Sequence, residues 1–360
     1  MSDLLKNMYN RESVGEFAKG IKSVYPPFQK DEFMSSVMDD KWDELELKGR
    51  MRHITNTLGE FLPVSYPEAL SLFDQIAHNY EGFIAILFSD FVEVYGQDKK
   101  YWDISIKALE NYTQYCSSEF AVRPFIINHQ DAMMEQMMAW SKSDNEHVRR
   151  LASEGCRPAL PWAMSLPEFK KDPTPVLPIL EQLKTDSSKY VQKSVANNLN
   201  DISKTHPQLV AKLAKDWYGV DERTDWIVKH GCRTLLKKGY PEVLAVFGFH
   251  DASSIKMNDF IISPSTFSIG DELSFSFTIQ GEEATKIRLE YAIDFVKANG
   301  KRNRKVFQIS ESTLKANERK TYNKTHSFAD LSTRKHYPGL HSITLIINGV
   351  ERGALDFEVR

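Results

Sequence analysis

Val148-Arg149-Arg150-Leu151-Ala152-Ser153-Glu154-Gly155-Cys156-Arg157-Pro158 holds the key to the first 250 residues, because pieces of it recur. Its Ser-Glu to Arg-Pro end resembles Ser118-Glu119-Phe120-Ala121-Val122-Arg123-Pro124, one residue longer. Val148 to Glu154 matches Val191-Gln192-Lys193-Ser194-Val195-Ala196-Asn197 in pattern, and Gly155-Cys156-Arg157 returns as Gly231-Cys232-Arg233. The steps Glu119 to Glu154, Glu154 to Asn197 and Cys156 to Cys232 are 35, 43 and 76 residues, the last being two units of 38. Helical units of roughly 35–45 residues predict HEAT or armadillo-like stacking. In such an array one repeated slot lines a single groove.

Outward from that stretch, the same half reads as helix after helix. Pro67 to Ile76 spaces its apolar residues at three and four, the period of a half-buried helix. Short breaks carry turn and cap residues, as at Ser65-Tyr66-Pro67, Thr205-His206-Pro207 and Gly239-Tyr240-Pro241. Past residue 250 the period changes to two: Leu273-Ser274-Phe275-Ser276-Phe277-Thr278-Ile279 alternates strictly, as does Ile287-Arg288-Leu289-Glu290-Tyr291. About seven short strands in the remaining stretch fit an immunoglobulin-like sandwich. The expectation is a multidomain chain: an all-α HEAT-like repeat solenoid over residues 1–250, then an all-β immunoglobulin-like sandwich over 257–360.

The chain has 360 residues, too many for one compact core and comfortable for two domains or one elongated array. Hydrophobic residues at 41% and aromatics at 11% exclude wholesale disorder. The longest apolar run, Phe83 to Phe88, is far short of the ~18 residues a bilayer needs. The first residues lack a basic-then-apolar secretion layout, and Cys116, Cys156 and Cys232 form no C-x-x-C pair. A reduced, cytoplasmic protein is expected. The net charge of −3 hides a gradient: −7 over residues 1–118, +3 over 119–240 and +2 over 251–360. Surface potential acts over roughly 8–10 Å, so a basic middle can engage phosphate despite an acidic total, though by itself +3 over 122 residues reads as ordinary surface variation.

No glycine-rich phosphate loop, H-E-x-x-H or G-x-S-x-G is present, and the histidines do not cluster at metal spacing. What stands out is the set of acids on the repeat slot: Glu119, Glu154 and Asp201, the last four residues beyond Asn197. Arg123, Arg149, Arg150, Arg157 and Trp162 lie close by in sequence. Singly, each reads as an ordinary surface or core residue. A phosphate-binding groove gains nothing from the acids, so their presence among arginines favours chemistry on a cationic centre. A helical scaffold that binds a protein partner, and a non-catalytic binder of DNA junctions or damage, are the competing classes.

Jointly, the strings 118–125, Asn145-Glu146-His147-Val148-Arg149-Arg150-Leu151-Ala152-Ser153-Glu154-Gly155 and Arg157-Pro158-Ala159-Leu160-Pro161-Trp162 resemble the AlkC family. Its members are bacterial alkylation-repair DNA glycosylases of the AlkC/AlkD superfamily. The likeness continues through Val191 to Asp201 and the Arg233-Thr234-Leu235 helix, and some members add a carboxy-terminal immunoglobulin-like domain. Cys156, between Gly155 and Arg157, is the departure from the family pattern. The resemblance implies a monofunctional glycosylase, a monomer with no cofactor, no metal and no obligate protein partner. Its substrate would be 3-methyladenine or 3-methylcytosine in duplex DNA, removed without flipping the base. Glu119, Glu154 and Asp201 would then be the catalytic carboxylates, with Trp162 the aromatic wall. Arg123, Arg149, Arg150, Arg157, Lys193 and Asn198 would hold DNA. The run Lys301-Arg302-Asn303-Arg304-Lys305 reads as a basic hairpin loop able to meet the minor groove through Lys301, Arg302, Arg304 and Lys305.

Overall fold

The computed structural model describes residues 5–331 and 334–360. Among the described residues sixteen α-helices precede eight strands. The helices are α1 (Arg11–Val24), α2 (Lys30–Val37), α3 (Leu47–Phe61), α4 (Tyr66–Ile76), α5 (Ile86–Tyr95), α6 (Trp102–Tyr112), α7 (Val122–Asn128) and α8 (Gln130–Trp140). They continue with α9 (Glu146–Gly155), α10 (Pro167–Lys171), α11 (Leu177–Leu183), α12 (Lys189–Ile202), α13 (Pro207–Trp217), α14 (Glu222–Gly231), α15 (Arg233–Lys237) and α16 (Pro241–Val246). Among the described residues, none is long and apolar enough to cross a membrane.

The chain divides into two compact units: Met1–Thr205 with Val220–Gly231, and His206–Gly219 with Cys232–Arg360. Helix gives way to strand between Val246 and Ile255. Packing divides the chain earlier, because α13, α15 and α16 group with the strands.

Helix starts follow local chemistry. Asn10 Oδ1 accepts from the amides of Glu12 and Ser13 at 2.9 and 3.0 Å, and Ser13 Oγ accepts from the Asn10 amide at 3.1 Å, a capping box on α1. Asn145 caps α9 through the His147 amide at 2.9 Å, and Ser188 caps α12 through the Tyr190 amide at 3.2 Å. Pro67, Pro167, Pro207 and Pro241 occupy first turns, where proline's missing N–H leaves nothing unpaired.

Side chains reach across successive repeats in the first unit. Arg52 holds Asp90 with bonds of 3.1 and 2.8 Å, and Arg149 holds Asp186 with bonds of 2.6 and 3.1 Å. Ser153 and Ser194 hydroxyls meet at 2.6 Å. The recurring glycines have a packing cause. A Cβ on Gly155 would lie 2.6 Å from Val122 Cγ2, and one on Gly231 would lie 2.9 Å from Leu199 Cβ. Both sit where neighbouring helices approach too closely for a side chain.

In the second unit, strands β1 (Ile255–Ser263), β2 (Thr266–Phe267), β3 (Glu272–Gly281), β4 (Thr285–Val296), β5 (Arg302–Leu314), β6 (Arg319–Ser327), β7 (Gly339–Ile347) and β8 (Val350–Val359) make two sheets. Their orders are β1-β3-β6 and β2-β8-β7-β4-β5. The period-two residues Leu273, Phe275, Phe277 and Ile279 join Ile287, Leu289, Tyr291 and Ile293 in the core between them. One expectation is corrected here. The basic run is not a loop: Lys301 closes the turn, and Arg302 to Lys305 begin β5, paired against Val296 to Ile293 of β4. Lysine and arginine suit an exposed edge strand, where charge discourages pairing with another chain.

Candidate active site

Two helices and two turns bring the acids together. Four-residue spacing on α9 sets Arg150 and Glu154 on one face. Asp201 stands in the last turn of α12, Glu119 in the turn before α7, and Arg157 just beyond α9. Arg150 Nη1 lies 2.5 Å from Glu119 Oε2, a close ion pair. Its Nη2 is 3.4 Å from Glu154 Oε1. Arg157 spans the next pair, donating from Nη1 to Glu154 Oε1 at 2.6 Å and from Nε to Asp201 Oδ2 at 2.8 Å. Lys204 Nζ donates to Asp201 Oδ1 at 2.8 Å. Three carboxylates thus alternate with three cations: Glu119, Arg150, Glu154, Arg157, Asp201, Lys204.

Arg150 has further partners. Its Nη1 donates to Ser117 Oγ at 2.5 Å, and its guanidinium lies 4.8 Å from the centroid of the Tyr190 ring. Burial alone would lower the pKa of Arg150, but Glu119 and Glu154 outweigh it and the net shift is upward. Arg157 follows the same logic: burial lowers it, while Glu154 and Asp201 raise it further.

A cavity of about 340 Å³ adjoins this network. Phe83, Ile86, Phe120, Leu160, Pro161 and Trp162 give it an apolar wall, facing Glu119, Glu154, Arg157 and Ser117. Side-chain exposure falls from 15% at Glu119 to 6% at Glu154 and 2% at Asp201. The first two acids therefore reach the cavity, while Asp201 lies behind Arg157. Trp162 is 62% exposed, with a backbone φ of 64°, the left-handed region that bulky L-residues rarely adopt. Its carbonyl accepts from Lys48 Nζ at 3.0 Å, and that ammonium sits 4.7 Å from the Phe120 ring centroid. Cys116, also on the wall, has its thiol pushed up to about 11 by burial, so it is no thiolate at neutral pH.

Residues 100–235 match the family model described as "DNA alkylation repair enzyme", and residues 256–360 match that of the YhaZ carboxy-terminal Ig-like domain. The chain is 52% identical over 359 residues to "Uncharacterized protein YhaZ" of Bacillus subtilis, covering 100% of both chains. Its structure superposes with a TM-score of 0.96 on Pseudomonas fluorescens alkylpurine DNA glycosylase AlkC bound to DNA containing an abasic site analog. The identity is 36%, over 99% of this chain and 100% of that one. The chain belongs to the AlkC family of DNA alkylation repair enzymes. It is of the type that carries a carboxy-terminal immunoglobulin-like domain, as its motifs indicate.

Within this AlkC-type fold the expected acids and Trp162 converge on one place, while most of the expected phosphate ligands do not face outward. Arg123 has no exposure, and its guanidinium donates to the carbonyls of Met164 and Gly155 at 2.6 and 2.8 Å. Asn198 is also fully buried and donates to the Ser153 carbonyl at 2.8 Å. Neither can meet a phosphate. Arg149 is committed to Asp186 and to the carbonyls of Ser143 and Asp144, and Arg150 and Arg157 belong to the carboxylate network. Lys193 remains exposed on α12. On the sandwich, Lys301 and Arg302 are exposed, and Arg304 pairs with Glu351 at 2.8 Å. Lys305 is half-buried, its amine held below the usual lysine range by burial and then by Arg334 and Lys297.

Two contributors escaped the sequence reading. Tyr190 was findable, because the 43-residue step that aligns Glu154 with Asn197 also aligns His147 with Tyr190. Their rings meet edge to face at 5.7 Å. Lys48 gave no signal, standing 114 residues from the carbonyl it holds.

Proposed function

We propose that this chain is a monofunctional DNA glycosylase that hydrolyses the N-glycosidic bond of cationic N3-alkylated bases, 3-methyladenine and 3-methylcytosine, in duplex DNA. The observation that carries this reading is Glu119. It is the most exposed acid of the network, it lines the cavity, and it is held there by Arg150.

An N3-alkylated base already bears the positive charge that an acid would otherwise have to supply. The C1′–N bond therefore breaks with its electron pair leaving on the base, which becomes neutral, and the sugar becomes oxocarbenium-like. Glu119 and Glu154 stabilise that cation, because they are preorganised where positive charge develops. Glu119 orients water, which adds to C1′ and gives a proton to the carboxylate. Arg150 and Arg157 keep the acids in place without reorganisation, and the Trp162 face adds cation–π attraction of roughly 0.5–2 kcal/mol. Reaction at the mouth of a half-open cavity suits a base that is not flipped. Lys193, Lys301, Arg302 and Arg304 would contact phosphates, positioning the duplex without reading sequence. The protein would act as a cytoplasmic monomer.

The test is base release. Purified protein with chelator present should release 3-methyladenine from methylated duplex DNA and leave abasic sites without nicks. Inert protein, or activity that appears only on adding metal, would refute this mechanism.

A further inference from the structure

The turn bearing Trp162 is tied to the helix bearing Glu154 by one buried cation. Arg123 on α7 is completely enclosed. Its Nη1 donates to the carbonyl of Gly155, the last residue of α9, and its Nε donates to the carbonyl of Met164, two residues past Trp162. The fork of a guanidinium makes both bonds at once in a fixed geometry. Burial lowers its pKa to about 10, which still leaves it charged at neutral pH. The turn's own closures are longer, from the Ala163 amide to Leu160 and from the Leu166 amide to Pro158 at 3.3 and 3.2 Å. Trp162 itself is in the left-handed region and 62% exposed, and besides Arg123 at Met164 its stretch of the turn is held by Lys48 at the Trp162 carbonyl, from a different helix.

We propose that Arg123 is a positioning residue: it fixes the indole of Trp162 relative to Glu154, so that the aromatic wall and the carboxylate act on the same cationic centre. Its catalytic consequence rests on the glycosylase reading; its structural consequence does not.

Arg123→Lys keeps the charge but loses the planar fork whose separate nitrogens, Nη1 and Nε, reach the two carbonyls in a fixed geometry. With the six tryptophans labelled as 5-fluorotryptophan, Trp162→Phe assigns the Trp162 resonance in the ¹⁹F spectrum. Arg123→Lys should shift or broaden that resonance while leaving the Trp140 and Trp217 signals in place. In single-turnover excision it should slow base release by about 10-fold or more, the scale expected of a misplaced group, with duplex affinity held. In a Trp162→Ala background it should cause no further slowing, because the residue acts through Trp162. Equal slowing in both backgrounds, or an unmoved Trp162 signal, overturns the proposal. Wild-type protein that releases no base refutes the glycosylase reading and leaves the spectrum to decide the positioning. Should Arg123→Lys fail to fold, single-glycine insertions replace it. One between Trp162 and Ala163 uncouples the ring from its anchor and should reproduce the Trp162→Ala loss. One between Ser165 and Leu166, beyond the anchor, should not. Equal effects of the two insertions overturn the proposal as well.

Discussion

Glu119 and Asp201 carry the same charge and differ in what they can reach. Glu119→Gln should depress single-turnover excision by roughly 10²-fold or more, comparable to losing one preorganised electrostatic group, ~2.7–4 kcal/mol. Melting temperature should fall only slightly, because Arg150 keeps Glu154 and Ser117, and binding to undamaged duplex should stay level or tighten slightly, since an acid near phosphate has gone. Asp201→Asn should behave differently. It removes the buried charge that Arg157 and Lys204 hold and turns one of its two accepting oxygens into a donor facing a cation, and breaking a buried pair costs about 3–5 kcal/mol. Melting temperature should fall together with rate. If Glu119→Gln lowers binding and rate equally, that residue is structural. Glu119 and Glu154 were legible together because they occupy one slot of a repeat, and Asp201 because it stands one helical turn beyond that slot. Their order of access was not, since it depends on Arg157 covering Asp201. The arginines misled for a related reason. An arginine beside an acid in sequence looks the same whether it faces phosphate or, like Arg149, folds onto a partner 37 residues away.

At the level of elements, the glycine that ends α9 is a packing requirement. Gly155→Ala would bring a methyl within 2.6 Å of Val122 Cγ2 and 3.0 Å of Met137 Cε. Overpacking of this kind costs typically about 1–3 kcal/mol. Chemical denaturation should register that loss, and adding Val122→Ala should recover part of it by vacating the contact. A neutral Gly155→Ala would mean that the recurrence of Gly-Cys-Arg has another origin. The repeat itself was visible in the spacing of 76 residues between Cys156 and Cys232, but its cause needed the helix separations. Helix starts were legible where proline marks them, as at Tyr66-Pro67, His206-Pro207 and Tyr240-Pro241. Only the later part of β5, Val306 to Ile309, read as a strand: four cations in the five residues 301–305 mask its start, whose exposure comes from its edge position rather than from a loop.

At the scale of the whole molecule, the charge gradient along the chain and the way the chain divides point to different experiments. The basic run on β5 belongs to a unit that also contains α13, α15 and α16. Cutting the chain at residue 250 would sever that unit, so lost DNA binding after truncation would report unfolding as readily as lost contacts. Substitution on the intact chain avoids the confusion. Each phosphate contact adds roughly −0.9 to the slope of log K against log salt. Lys301 and Arg302 are exposed, Arg304 is paired with Glu351, and Lys305 is half-buried. Replacing Lys301, Arg302 and Arg304 together with Ala should therefore weaken duplex binding and shallow the slope by about two rather than three. Lys193→Ala should shallow it by about one, from the other unit. If the triple replacement leaves the slope unchanged while the protein stays folded and Lys193→Ala alters it, the duplex is held by the helical unit. The sandwich must then serve stability or a protein partner instead.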